Sequence, residues 1–296
     1  MPNMPDTPGH RAPPDGIIVG VDTHKHVHVA VAITQVGARV ASCEVAANRD
    51  GYEALLHWAR ALGAVHAVAI EGTGSYGAGL ASFLRRNALR VVEVSHCDRR
   101  RRRTAGKSDT VDAESAARSA LAGTATAIPK SADGAAEMVR QIKIARDTAV
   151  TAKSAAIIAL KTILVNAPSE LREVLDPLSD RTLLVRCTRL IPGAMADVTA
   201  AVKHAIRALA TRWRVLAEEI DAHDAALDLL TAVAVPTLRA AFGIGPNAAA
   251  EMLIVAGDNP SRIRSEAAFA KLVGVCPIPA SSGMNTRYRL FRGGHR

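Results

Sequence analysis

Two short apolar runs, IIVGV at 17–21 and VHVAVAI at 27–33, flank the polar segment Asp22-Thr23-His24-Lys25-His26. Runs of this length, rich in β-branched residues and bounded by polar ones, read as strands, and the short connection predicts a β-hairpin. A third strand follows at 38–45, then a helix over 51–62, a buried strand over 65–71, a helix over 77–87 behind a Gly-rich lead and a strand over 89–94. Strands followed by alternating helices and strands predict an α/β sheet covered by helices. Residues 1–16 are polar and Pro-rich with no periodic apolar face, the composition of a disordered arm.

From about 134 to 238 the pattern changes to Ala, Leu, Val, Lys and Arg, with apolar residues at helical spacing. Met138, Ile142, Ala145 and Ala149, then Ile157, Leu160, Ile163 and Leu164, mark one such face. Pro168, Pro177, Pro192 and Pro236 cut the region, and 196–230 reads as one helix with Trp213, Leu216, Ile220 and Leu227 on its buried stripe. This is a coiled-coil-like spacer or dimerising hairpin in preference to a catalytic element. The last part holds Phe242-Gly243-Ile244-Gly245-Pro246, a helical run at 247–256 and a Gly- and Ser-rich end. The 296 residues therefore divide into an arm (1–16), an α/β domain (17–130), a helical middle (131–237) and a small, mostly α-helical C-terminal domain (238–296).

Asp22 ends the first strand, and Glu71 ends the strand at 65–71, just before Gly72-Thr73-Gly74. Asp109 and Asp112, in Lys107-Ser108-Asp109-Thr110-Val111-Asp112, are three apart and share a helix face. Singly, these acids read as turn, cap or helix N-terminal residues. Jointly, acids at two strand ends and a helix start can meet, and such a cluster repels itself unless a cation joins it. Mg²⁺, a hard oxygen-ligated ion that activates a nucleophile at phosphate, fits that set.

Lys and Arg number 37 against 28 Asp and Glu, a net charge of +9, which calls for a polyanionic partner. Arg99, Arg100, Arg101, Arg102 and Arg103, with Lys107 beyond, form a run able to neutralise several phosphates beside the acids. The bland alternative is a solvated charge run. Aromatics make up 3% of the chain, so base stacking is a poor means of holding a strand. No uninterrupted apolar run approaches the ~18 residues of a spanning helix, and the polar start is no signal peptide. A cytoplasmic protein at the nucleoid, without membrane contact, is expected. Cys43, Cys97, Cys187 and Cys276 are scattered without a CxxC pair and read as free thiols.

Val21-Asp22-Thr23-His24-Lys25, Glu71-Gly72-Thr73-Gly74 and Lys107-Ser108-Asp109-Thr110-Val111-Asp112-Ala113 resemble, in order and spacing, the insertion-sequence 110 type DEDD transposases. The resemblance implies a RuvC-like N-terminal domain, a ribonuclease H relative, with Asp22, Glu71, Asp109 and Asp112 as its metal-binding tetrad. Phe242–Pro246 and the segment 273–283, VGVCPIPASSG, are similar to that family's C-terminal transposase domain. There the resemblance implies a serine nucleophile on DNA; Ser281 and Ser282 adjoin, and the residues do not choose between them. It also implies a structured guide RNA as partner. Gly243 and Gly245 permit a tight turn, and the N–H groups of the following helix start can grip phosphate, although an ordinary helix–turn–helix corner uses the same residues. Arg287, Arg289, Arg292, His295 and Arg296 make a basic tail. Family members continue past Gly293-Gly294, so a truncated copy with weak or no activity is expected.

The leading expectation is thus a homo-oligomeric DNA transposase or recombinase of a bacterial mobile element, working by Mg²⁺-dependent cleavage and strand transfer. A RuvC-like nuclease or junction resolvase using water, and an inactive nucleic-acid-binding remnant, are the alternatives.

Overall fold

The computed structural model describes residues 16–94 and 108–290. The arm, Cys97, the five arginines at 99–103, Lys107, Arg292, His295 and Arg296 lie outside the described residues. The chain divides into two compact units, Met1–Ala132 with Asn259–Lys271, and Asp133–Asp258 with Leu272–Arg296.

The first unit is built on a five-stranded sheet of order β3-β2-β1-β4-β5. Its strands are β1 (Ile17–Thr23), β2 (Val27–Thr34), β3 (Arg39–Ala46), β4 (Val65–Glu71) and β5 (Val91–Val94). The β1–β2 hairpin and β3 pair antiparallel, whereas β1–β4 and β4–β5 are parallel. The expected α/β class holds, and the sheet is mixed because the hairpin precedes the first helical crossover. Helices α1 (Arg49–Leu62) and α2 (Ala78–Arg86) cover one face, where Leu55, Leu56, Leu80 and Leu84 pack on Ile17, Val19, Val21, Val68 and Ile70. Helix α3 (Asp109–Leu121) covers the other, its Ala113 and Ala117 on Ile18, Val29, Val31 and Ile33, and its Ala116 beside Ala69, Val92 and Val94. Alternation along β1 and β4 therefore puts Gly20 and Asp22, and Ala69 and Glu71, on the α3 side.

Asn259 ties its own segment into this unit. Its Oδ1 accepts from the Ser131 N–H and its Nδ2 donates to the Pro129 carbonyl, each at 3.0 Å.

The second unit is helical. Helices α4 (Ala135–Val165) and α7 (Val198–Ala234) run antiparallel, with α5 (Ser169–Leu175) and α6 (Asp180–Thr188) packed at one end. Helices α8 (Pro236–Arg239) and α9 (Pro246–Ala256) follow; α10 (Glu266–Leu272) belongs, but for its last residue, to the first unit, and a hairpin of β6 (Pro277–Pro279) and β7 (Tyr288–Leu290) belongs to the second. On α7, Ile220 and Leu227 are buried, with Trp213 and Leu216 half-buried. The α4 stripe departs from the sequence reading: Met138 and Ala145 face outward, while Ala136, Val139 and Lys143 face inward. Lys143 can occupy a core position because its ammonium pairs with Asp147 and Glu251, so a charge sits on the buried face of this helix. By length and composition α4 could cross a bilayer. Lys153 and Lys161 interrupt its second half, and Leu160 and Leu164 there are buried against Ile206 and Ala210 of α7.

His28 of β2 is fully buried, and neither ring nitrogen has a partner of hydrogen-bond geometry. Its ring stacks on Tyr52 with centroids 5.8 Å apart. Burial holds the imidazole below the ordinary histidine value, outweighing a backbone contact at Val27 that acts the other way. Below about pH 6.5 the unfolded chain takes up a proton that the folded chain refuses, so this group removes stability as the pH falls through that window. The slope it adds is at most about 1.4 kcal/mol per pH unit. Urea midpoints between pH 7.5 and 5 are expected to fall less steeply for His28→Phe than for the native chain; identical slopes would refute the assignment.

Candidate metal centre and nucleic-acid interface

Asp22 and Glu71 owe their proximity to strand register. The parallel β1–β4 pairing runs through Gly20–Ala69 and Val21–Ile70, so the next residues on each strand are the two acids, on the same face. The Thr23 hydroxyl donates to the Glu71 carbonyl at 2.8 Å and ties the two strand ends. Gly72 then turns the chain with φ +71°, a conformation that favours glycine.

Asp109 and Asp112 arrive on the first turn of α3. Ser108 caps it, its hydroxyl accepting from the Val111 N–H at 3.3 Å. The positive end of the helix favours both acids. Asp112 is buried and Asp109 exposed. All four acids line one cleft of about 340 Å³, together with Thr23, His24, Gly72 and Ser75.

Burial raises the Asp22 carboxyl above its ordinary value; His24 acts against the rise, and Asp112, Asp109 and Glu71 add to it. The site therefore loses stability as the pH rises through that raised value, and either a proton or a cation relieves the strain. Hard oxygen donors lining one small cleft suit a divalent cation such as Mg²⁺, and of the four acids Asp22 and Asp109 are the two whose ligand atoms, with those of His24, fall in one group within 4.8 Å of one another.

His24 is the residue that the sequence reading left out. Its Nε2 lies 3.3 Å from Asp22 Oδ2 and 3.4 Å from Asp109 Oδ2, and ligand atoms of the three residues lie within 4.8 Å of one another. The available signal was its spacing: residues i and i+2 at a strand end fall on the same side.

The C-terminal candidates lie in the second unit. Ser281 and Ser282 sit in the loop between β6 and β7. The Ser281 hydroxyl is engaged with Arg287, accepting from its N–H at 3.2 Å and donating to its carbonyl at 3.4 Å. Ser282 pairs with Asn285 through the backbone alone, and its side chain is exposed. Arg287 and Arg289 are exposed on the same hairpin. Gly243 takes φ +81°, a conformation that favours glycine. Gly245 is extended and caps α9, and a Cβ there would meet no atom within 4 Å.

Comparison with protein families gives two matches. The model for IS110-type DEDD transposases, described as a transposase, matches residues 19–167. A second, described as the transposase IS116/IS110/IS902 family, matches residues 235–296. No curated protein matches the chain. The first match alone spans half of the chain, and the chain belongs to the IS110-type DEDD family of insertion-sequence transposases.

Proposed function

We propose that the chain cuts and rejoins DNA strands at the ends of its insertion sequence, with Asp22, Glu71, Asp109 and Asp112 holding Mg²⁺ and Ser282 attacking the phosphodiester. The observation that carries this reading is the single cleft lined by all four acids, in a chain of this family. Held by these acids, a divalent cation would supply positive charge that neutralises a phosphate and steadies a leaving oxygen. Ser282 Oγ forms the new bond to phosphorus, its proton leaves to solvent, and the P–O bond to the sugar breaks to leave a DNA hydroxyl. Attack of a second strand's hydroxyl on that phosphoserine rejoins DNA and restores the serine, so no external energy source is needed. The arginines at 99–103, Lys107, Arg287 and Arg289 supply phosphate contacts. The N–H groups after Gly245 offer a further phosphate grip. A structured RNA partner and a cytoplasmic, nucleoid-associated location belong to the same reading.

Homo-oligomerisation is assigned to α4. Its exposed residues Ile144, Thr148, Thr151, Ala155, Ile158, Thr162 and Val165 form a stripe without charge. The threonine hydroxyls of this stripe donate back to their own helix at 2.9 Å, leaving methyl groups outward. Ile158→Glu is expected to halve the mass of the particle in sedimentation, and an unchanged mass would exclude this face.

The test of the catalytic reading uses a plasmid carrying the gene with its native flanking DNA. Glu71→Gln keeps shape and removes charge, and is expected to lower strand cleavage by roughly 10³-fold, as chelation should also do. Cleavage indifferent to both would overturn the metal assignment.

A further inference from the structure

We propose that His24 is a nitrogen ligand in the acidic cleft and that it biases the centre toward a first-row divalent ion such as Mn²⁺ over Mg²⁺. The inference rests on the reading of that cleft as a metal centre and goes beyond it, because a site of four carboxylates alone gives no reason for such a bias.

Position is the first argument. A charge-assisted hydrogen bond between an imidazole and a carboxylate spans about 2.7–2.9 Å. His24 Nε2 is farther than that from both aspartates, and nearly equidistant, at 3.3 Å from Asp22 Oδ2 and 3.4 Å from Asp109 Oδ2. The nitrogen thus stands between the two oxygens, almost equally far from each. Two ligand atoms about 2.1 Å from one ion and at right angles stand roughly 3 Å apart, so these separations suit neighbouring corners of one coordination shell.

The second argument is that the backbone carrying the ring is fixed. The His24 backbone N–H donates to the Val27 carbonyl at 3.1 Å, closing the β1–β2 connection directly after the strand that carries Asp22. Aspartate and imidazole are therefore borne by one short, hydrogen-bonded piece of chain. The ring is half exposed, which leaves it open to an ion entering from solvent. Asp109 approaches from a different element, α3, so the three donors come from two separately anchored supports.

Ligand chemistry is the third. Mg²⁺ is served by oxygen and keeps its waters, whereas an imidazole nitrogen adds affinity for first-row transition ions. Replacing one oxygen position by nitrogen should leave Mg²⁺ able to bind and favour Mn²⁺.

Mn²⁺ alone, added to the full chain without DNA, provides the test. Pulsed electron paramagnetic resonance is expected to show a directly coordinated ¹⁴N in the native protein. In His24→Ala that coupling should vanish, with Mn²⁺ binding at least about tenfold weaker and Mg²⁺, read by competition, changed by no more than about threefold. Asp22→Asn should abolish binding of both ions. Mn²⁺ bound without nitrogen coupling, or a coupling that survives in His24→Ala, overturns the inference and leaves the carboxylate centre standing. Absence of any Mn²⁺ binding at the cleft overturns the centre itself, and the inference with it.

Discussion

Ser282→Ala is expected to lower covalent DNA capture and strand transfer by about 10⁴-fold or more, the scale on which loss of a nucleophile is felt, while Ser281→Ala stays within about tenfold of the native protein. The two hydroxyls differ in what holds them. Ser281 Oγ closes the hairpin loop against both backbone groups of Arg287, next to the Ala280–Arg287 backbone bond of 2.8 Å. Attack from that oxygen would break a local bond first. Ser282 makes its loop contacts through its backbone, N–H to the Asn285 carbonyl at 3.3 Å and carbonyl to the Asn285 N–H at 3.2 Å. Its hydroxyl stays exposed, with no hydrogen bond among the described residues. Losing the Ser281 contact should therefore act on stability, by about 0.5–1.5 kcal/mol, and Ser282 on chemistry. Trapping of a protein–DNA adduct, followed by peptide mapping, separates the outcomes. An adduct on Ser281 reverses the assignment. Full cleavage by both variants would make water the attacking group, as in a junction resolvase.

Much of the first unit is legible because its signals are local. The hairpin and β4 announce themselves as apolar runs ended by polar residues, and the acids at 22 and 71 fall where those runs stop. Their adjacency follows from a parallel register that no local pattern states. The position of Lys143 was not legible, because a buried ammonium depends on Glu251, which lies far along the chain and is brought near only by packing. Nor was the docking of Asn259 on Ser131 and Pro129, which draws a segment from beyond the helical region into the first unit. His24 sits inside a motif that draws attention to Asp22. A histidine two residues after an acid has many bland uses, and only the arrival of Asp109 on α3 gives this one a shared target.

Gly20→Ala is expected to destabilise the chain by at least ~1–3 kcal/mol, the range for forced overpacking, and to weaken divalent-ion binding at a cleft it does not touch. Gly20 stands in β1 on the face that receives α3, two residues before Asp22. A Cβ built there lies 1.9 Å from the Ala113 carbonyl oxygen and 2.4 Å from the Ala117 nitrogen, both of them backbone atoms that no rotamer change can move aside. The helix itself must withdraw. Its buried residues are Asp112, Ala113, Ser115, Ala116 and Ala117, so its close seat on the strand depends on small side chains on both sides of the contact. Asp109 and Asp112 ride on the first turn of the same helix, whereas Asp22 and Glu71 are fixed to the sheet. Withdrawal therefore separates one pair of acids from the other. Gly74→Ala is the matched control, since a Cβ there meets nothing within 4 Å and its backbone is not left-handed, and its effect should stay within about 0.5 kcal/mol. Urea midpoints and Mn²⁺ affinity measured on both variants decide the matter. Native stability and native affinity in Gly20→Ala would mean that α3 is not what sets the spacing of the four acids.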